Sequence, residues 1–94
     1  MYIVSRRYRF DPKASATIKT RVQEGFVPLL QRTPGFIAYY WFDDGNGAGE
    51  SVSVFETEVG AKASIGVAGV WVKMHLADVL GAPEVVQGEV KAHG

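Results

Sequence analysis

The 94-residue chain carries ten basic and ten acidic residues, two histidines and no cysteine, and 47% of its residues are hydrophobic. That length suits a single domain, and the composition favours a packed core over disorder. The charge balance excludes a general binder of phosphate backbones, and the lack of cysteine excludes disulfides, thiolate-held zinc and iron–sulfur clusters.

No apolar run approaches the roughly 20 residues of a membrane span, and the opening MYIVSRRYRF lacks the order of a secretory leader. The expectation is a soluble cytoplasmic protein with no membrane or nucleic-acid partner.

Residues 2–10 are rich in aromatic and β-branched side chains and predict a first strand. Tyr2, Val4, Arg6, Tyr8 and Phe10 share one face; Ile3, Ser5, Arg7 and Arg9 share the other, and neither face is cleanly polar. Asp11 is placed to cap the next helix, with Pro12 fixing its first position.

Across residues 13–32, Ile18, Val22, Phe26 and Leu29 or Leu30 recur at helical spacing. Gly25 and Pro28 weaken that helix, and Pro28 predicts a kink or a fresh turn because it cannot donate to residue 24. Thr33-Pro34-Gly35 ends it.

Residues 36–42 predict a strand apolar on both sides, with Phe36, Ala38, Tyr40 and Phe42 opposite Ile37, Tyr39 and Trp41. Asp43-Asp44-Gly45-Asn46-Gly47 has turn chemistry, and residues 51–56 return as a strand. Thr57 is a cap, and Glu58 puts a negative charge in the first turn of a second helix. Its buried stripe is Ala61, Ile65, Ala68, Val72, Leu76 and Val79 or Leu80; Gly81 and Pro83 mark its end. Residues 84–91, with Val85, Val86 and Val90, predict the last strand.

The order β-α-β-β-α-β gives an α+β domain over residues 1–94. It is a ferredoxin-like split βαβ plan: a four-stranded antiparallel sheet with both helices on one face. Two helices cover one side of the sheet. The aromatic strand would then leave a patch too large for a monomer, so a homodimer through the open sheet face is expected. Packing between subunits is the favoured use of Tyr39, Tyr40 and Trp41.

Pro34-Gly35-Phe36 opening the second strand, Val54-Phe55-Glu56 closing the third, the 61–80 helix with Trp71, and the last strand with Gly88 carry a likeness. With them, the chain resembles the dimeric α+β barrel superfamily, in particular the antibiotic-biosynthesis-monooxygenase-like family. The resemblance implies a sheet-to-sheet homodimer with a pocket between the helices and the sheet. It also implies cofactor-independent oxidation of a small aromatic or quinol-like molecule. The alternative is a non-catalytic dimer that binds a small ligand or serves a stress response. Members that degrade haem use an Asn on strand one, a Trp on helix two and a later His. Trp71 matches the Trp position, strand one holds no Asn, and His75 follows Trp71 too closely, so no cofactor is expected.

Trp71 and His75, one helical turn apart, are the candidate catalytic pair, with the imidazole as proton acceptor beside an aromatic platform. The favoured alternative is a half-exposed His packed on a Trp at the helix edge. Arg7 and Trp71 are the candidate substrate-binding residues. The alternative for Arg7 and Arg9 is surface ion pairing with Asp43, Asp44 or Glu56. The Asp-rich turn lacks the spaced acids of a calcium loop, and two histidines without a carboxylate pattern predict no metal site.

Overall fold

The computed structural model describes residues 1–94, and its elements follow the expected order. Strand β1 (Tyr2–Arg9) leads into a 3₁₀ turn (Pro12–Ala14) capped by the Asp11 carboxylate, which accepts from the Lys13 N–H at 2.9 Å. The first helix is then built in three pieces: α1 (Ser15–Arg21), a π turn (Val22–Phe26) and α2 (Val27–Gln31). Sequence places the irregularity at Pro28, whereas the structure takes it up one turn earlier. The Val27 N–H reaches back five residues to Val22 O, and the widened turn lets Pro28 enter as an early residue of a fresh α segment.

Strands β2 (Phe36–Asp43) and β3 (Ala48–Phe55) form the hairpin. Asp44 Oδ1 accepts from the N–H groups of Asn46 and Ala48 at 2.8 and 3.1 Å, and Gly45 and Gly47 supply positive φ values of 76° and 93°. At Gly47 a side chain is barred twice over, because a Cβ would also lie 2.4 Å from Phe10 O. Helix α3 (Glu58–His75) starts on Thr57, whose Oγ1 accepts from the Gly60 N–H at 3.3 Å. It closes shorter than its apolar stripe: residues 76–79 form a turn, with Leu80 N–H bonded to Leu76 O at 2.8 Å. Strand β4 (Glu84–Glu89) completes the fold.

The sheet order is β2-β3-β1-β4, antiparallel throughout, with β2 and β4 as edges. Helical and sheet side chains meet in one core of Val4, Ile18, Val22, Phe26, Leu30, Phe55, Leu76 and others. The β2–β3 register breaks between Phe36 and Ala38, so Phe36 pairs with Phe55 while Ala38 pairs with Val54. This bulge at Ile37 alters the face that sequence parity gives to Phe36, which packs edge-on against buried Phe55 at 6.0 Å.

Beyond the bulge, β2 is two-sided as expected. Tyr39 and Trp41 turn toward the helices, while Tyr40 (62% exposed) and Phe42 (55%) stand on the opposite face with Val52, Val54, Ile3 and Val86 in the adjoining strands. Tyr39 and Trp41 are therefore not residues of the open face, contrary to the use favoured from sequence. Tyr39 meets Phe26 of the first helix edge-on (5.3 Å), and Trp41 packs at a tilt against Tyr8 and Phe10 (6.2 and 5.9 Å) on the face that the helices cover.

Candidate functional site between the helices and the sheet

Strand β3 shapes the site by what it lacks. Its helix-facing residues Gly49, Ser51 and Ser53 are small and buried, while the flanking strands present Tyr39 and Trp41 on one side and Arg6 and Tyr8 on the other. A hollow forms above them, roofed by Phe26, Trp71 and Leu76. Trp71 leans on Phe26 with ring centroids 5.1 Å apart. Glycine makes that seat: a Cβ on Gly25, inside the π turn, would lie 2.9 Å from Trp71 Cζ2. On the opposite side, a Cβ on Gly49 would lie 2.7 Å from two carbons of the Trp41 ring.

Closed down by both indoles, the cavity measures about 20 Å³, room for roughly one water molecule. A larger groove of about 450 Å³ lies outside it between α1 and β2, and the two share Val22, Tyr39 and Trp41 as a common wall. Ser15 and Asp43 join across the groove, the Ser15 hydroxyl donating to Asp43 Oδ2 at 2.6 Å.

The polar groups of the hollow are few. Arg6 is 7% exposed, and its Nε–H donates to Tyr8 Oη at 2.9 Å. None of the ion pairs, Arg21–Asp78, Lys62–Glu58 and Lys91–Glu89, includes it. Burial raises the Tyr39 hydroxyl well above its ordinary value of 10.0; nearby Tyr8 adds to this, while Ser51 and Arg6 pull against it. Tyr39 is therefore a neutral phenol at physiological pH.

The sequence-derived candidates distribute unevenly around this hollow. Trp71 lines it. His75 sits on the far side of Trp71, rings 5.0 Å apart and tilted by 34°; its side chain is exposed, and its carbonyl accepts from Arg21 Nη1 at 2.9 Å. Arg7 is not brought to the hollow. Its register partners are Glu50 and Glu84, and it stands exposed on the other side of the sheet. The surface ion pairs expected for Arg7 and Arg9 with Asp43, Asp44 or Glu56 do not form either. The cation that faces the interior is Arg6, one residue earlier and hence on the opposite pleat. Sequence parity put Arg6 beside Val4 and Tyr8, and that grouping was the available signal.

No family model matches the sequence, and no curated protein matches it. Solved structures do. A protein of unknown function from Nitrosomonas europaea, NE2512, superposes with a TM-score of 0.80 at 19% identity, covering 99% of this chain and 91% of its own. A monooxygenase from Streptomyces coelicolor, the ActVA-Orf6 product in complex with nanaomycin D, also reaches 0.80, at 14% identity over 98% of this chain and 88% of its own. The chain shares the ferredoxin-like α+β fold of these proteins. SnoaB, a cofactor-independent oxygenase from Streptomyces nogalater, shares it as well, with a TM-score of 0.72 at 11% identity over 98% of this chain and 94% of its own. In this chain the fold comes with no helix long and apolar enough to cross a membrane.

Proposed function

We propose that this protein is a homodimeric, cofactor-independent enzyme that uses dioxygen to oxidise a small aromatic or quinol-like molecule, admitted to the hollow between its helices and sheet when Trp41 swings toward the adjoining groove. The observation that carries this reading is the hollow's composition: aromatic walls from Trp41, Trp71 and Tyr39 around a buried guanidinium and a neutral phenol, on a monooxygenase fold. Apolar walls with a few convergent polar groups are the usual make-up of a small-molecule site.

Dioxygen is the oxidant. A hydroquinone gives two electrons and two protons to dioxygen, leaving quinone and hydrogen peroxide. An anthrone methylene exchanges its two hydrogens for one oxygen atom, and the second oxygen leaves as water. The chain's part is to hold the ring in a water-poor setting and to supply hydrogen bonds from Arg6 and Tyr39 to its oxygen. Trp71 is the aromatic wall, and His75 stacks against its far side, outside the hollow, and steadies the indole. Arg7, exposed on the outer face beside Glu50, lies away from the hollow, and its role in this proposal is at the proposed dimer interface.

The homodimer reading rests on the open sheet face, where Tyr40, Phe42 and Val86 are more than half exposed. The test is oxygen uptake with a panel of hydroquinones and anthrones. Uptake by the wild type that falls at least tenfold in the Trp71→Phe, His75→Ala double variant is the expected result. Uptake no greater than that of the variant across the panel would leave a non-catalytic ligand-binding dimer as the function.

A further inference from the structure

We infer that Arg6 is an anion-binding residue, and that the ligand of the hollow is a planar aromatic carrying an ionised oxygen, a phenolate or a carboxylate. The inference rests on the hollow being the ligand site and goes further by fixing the charge of what enters it. Three observations support it.

First, Arg6 is more than nine-tenths buried, yet it pairs with no carboxylate. It is the sole charged side chain lining the hollow; Tyr8 and Tyr39 are the other titratable groups there, and both are phenols. A guanidinium taken out of water without a counter-charge is costly, and an anionic oxygen brought to it is bound correspondingly well.

Second, Arg6 has hydrogen-bonding capacity to spare. Nε–H is committed to Tyr8 Oη, whereas the two terminal nitrogens bond no protein group. No buried polar side-chain atom lacks a partner, so these nitrogens lie where a small group can touch them. Two parallel N–H donors match a carboxylate bidentately or clasp a single phenolate oxygen.

Third, the register clears a path. Trp41, Ser51 and Arg6 stand in one row across β2, β3 and β1, and Ser51 in the middle is too small to block the way from the edge strand to the guanidinium. Trp41, half-buried on the edge strand and lying over Gly49, is the side chain that a ring entering from the groove displaces.

4-Nitrophenol is a suitable probe because its anion is coloured and it resists oxidation by air. Titrated into the full chain across the pH range of its ionisation, it should bind the wild type at least tenfold more tightly as the anion. The bound probe should then ionise about one pH unit lower than in water. Tryptophan emission should change on binding, since Trp41 moves. Arg6→Gln should bind both forms alike, and Arg6→Lys should keep part of the preference.

A benzoate competition arm separates the sources. Benzoate displacing the probe more tightly than nitrophenolate itself binds makes the ligand a carboxylate; the reverse makes it a phenolate. Equal binding of neutral and ionised probe by the wild type, no binding of either, or an unchanged preference in a folded Arg6→Gln would overturn the inference. If Arg6→Gln does not fold, the wild-type pH series decides alone. Oxygen uptake is read separately. Anion preference without uptake keeps this inference and removes the oxidation reading. Uptake that Arg6→Gln leaves unchanged does the opposite.

Discussion

Gly49→Ala probes whether Trp41 closes the hollow by lying across a strand with no side chain. The added methyl group would sit 2.7 Å from Trp41 Cζ2 and Cη2 and 3.0 Å from Phe10 Cε1, against an optimal carbon–carbon separation of roughly 3.5–4.0 Å. Strand β3 cannot retreat, because Gly49 is paired with Tyr8 on one side and Asp43 on the other. Trp41 therefore either strains in place, at about 1–3 kcal/mol for an overpacked site, or swings out into the groove. Re-exposing on the order of 100 Å² of indole costs about 2.5 kcal/mol at ~25 cal/mol per Å². Both routes give a loss of about 1–3 kcal/mol, and for a domain of this size each kcal/mol lowers Tm by roughly 4–8 °C. Urea unfolding measures the loss. In a Trp71→Phe background, Trp41 is the only remaining indole, and its emission should shift to the red if it swings out. A stability change below about 0.5 kcal/mol with unshifted emission would refute the account of how the cavity is closed.

Other expectations follow from the same contacts. Because burial holds the Tyr39 phenol above its usual 10.0, its contribution to stability is full below pH 10 and is lost as the pH climbs toward its folded value. Tyr39→Phe should flatten that alkaline fall in thermal melts. Asp78 is held below its ordinary 3.8 by the hydrogen bond from Arg21. Its contribution is present above the unfolded value and lost as the pH falls through the folded one, so Asp78→Asn should soften the acid limb. Thr57→Ala removes the cap on Gly60 N–H and should cost about 1 kcal/mol in denaturant unfolding. Gly25→Ala sets a gain in helix propensity of up to about 1 kcal/mol against the 2.9 Å contact with Trp71. A Trp71 emission change with little net stability change is expected.

Much of this architecture was legible in the sequence because its punctuation is strong. Asp11-Pro12, Thr33-Pro34-Gly35, the Asp44–Gly47 turn and Thr57 each mark an element boundary that backbone chemistry enforces. The bulge at Ile37 was not legible, since nothing in an unbroken apolar run marks a skipped residue. Nor was the π turn, which answers Pro28 one turn upstream of it. The charge in the hollow was hidden for a related reason. Arg6, Arg7 and Arg9 lie on a strand with no polar face, and only cross-strand register shows that Arg6 shares its pleat with Ser51 and Trp41, whereas Arg7 sits beside Glu50 and Glu84. Trp71 and His75 were legible as neighbours from their spacing. That Trp71 turns inward and the His75 side chain stays exposed depends on Gly25 leaving space under the indole.

Strand β2 carries the proposed dimer: Tyr39 and Trp41 lie under the helices, while exposed Tyr40 and Phe42 are the side chains that a second copy would cover. Sedimentation equilibrium at micromolar concentration measures this directly. The expected mass is twice that of the 10.2 kDa chain, falling to a single chain in a Tyr40→Glu, Phe42→Glu variant whose circular dichroism is unchanged. A wild-type protein that sediments as one chain at that concentration would contradict the paired sheet and the site built behind it.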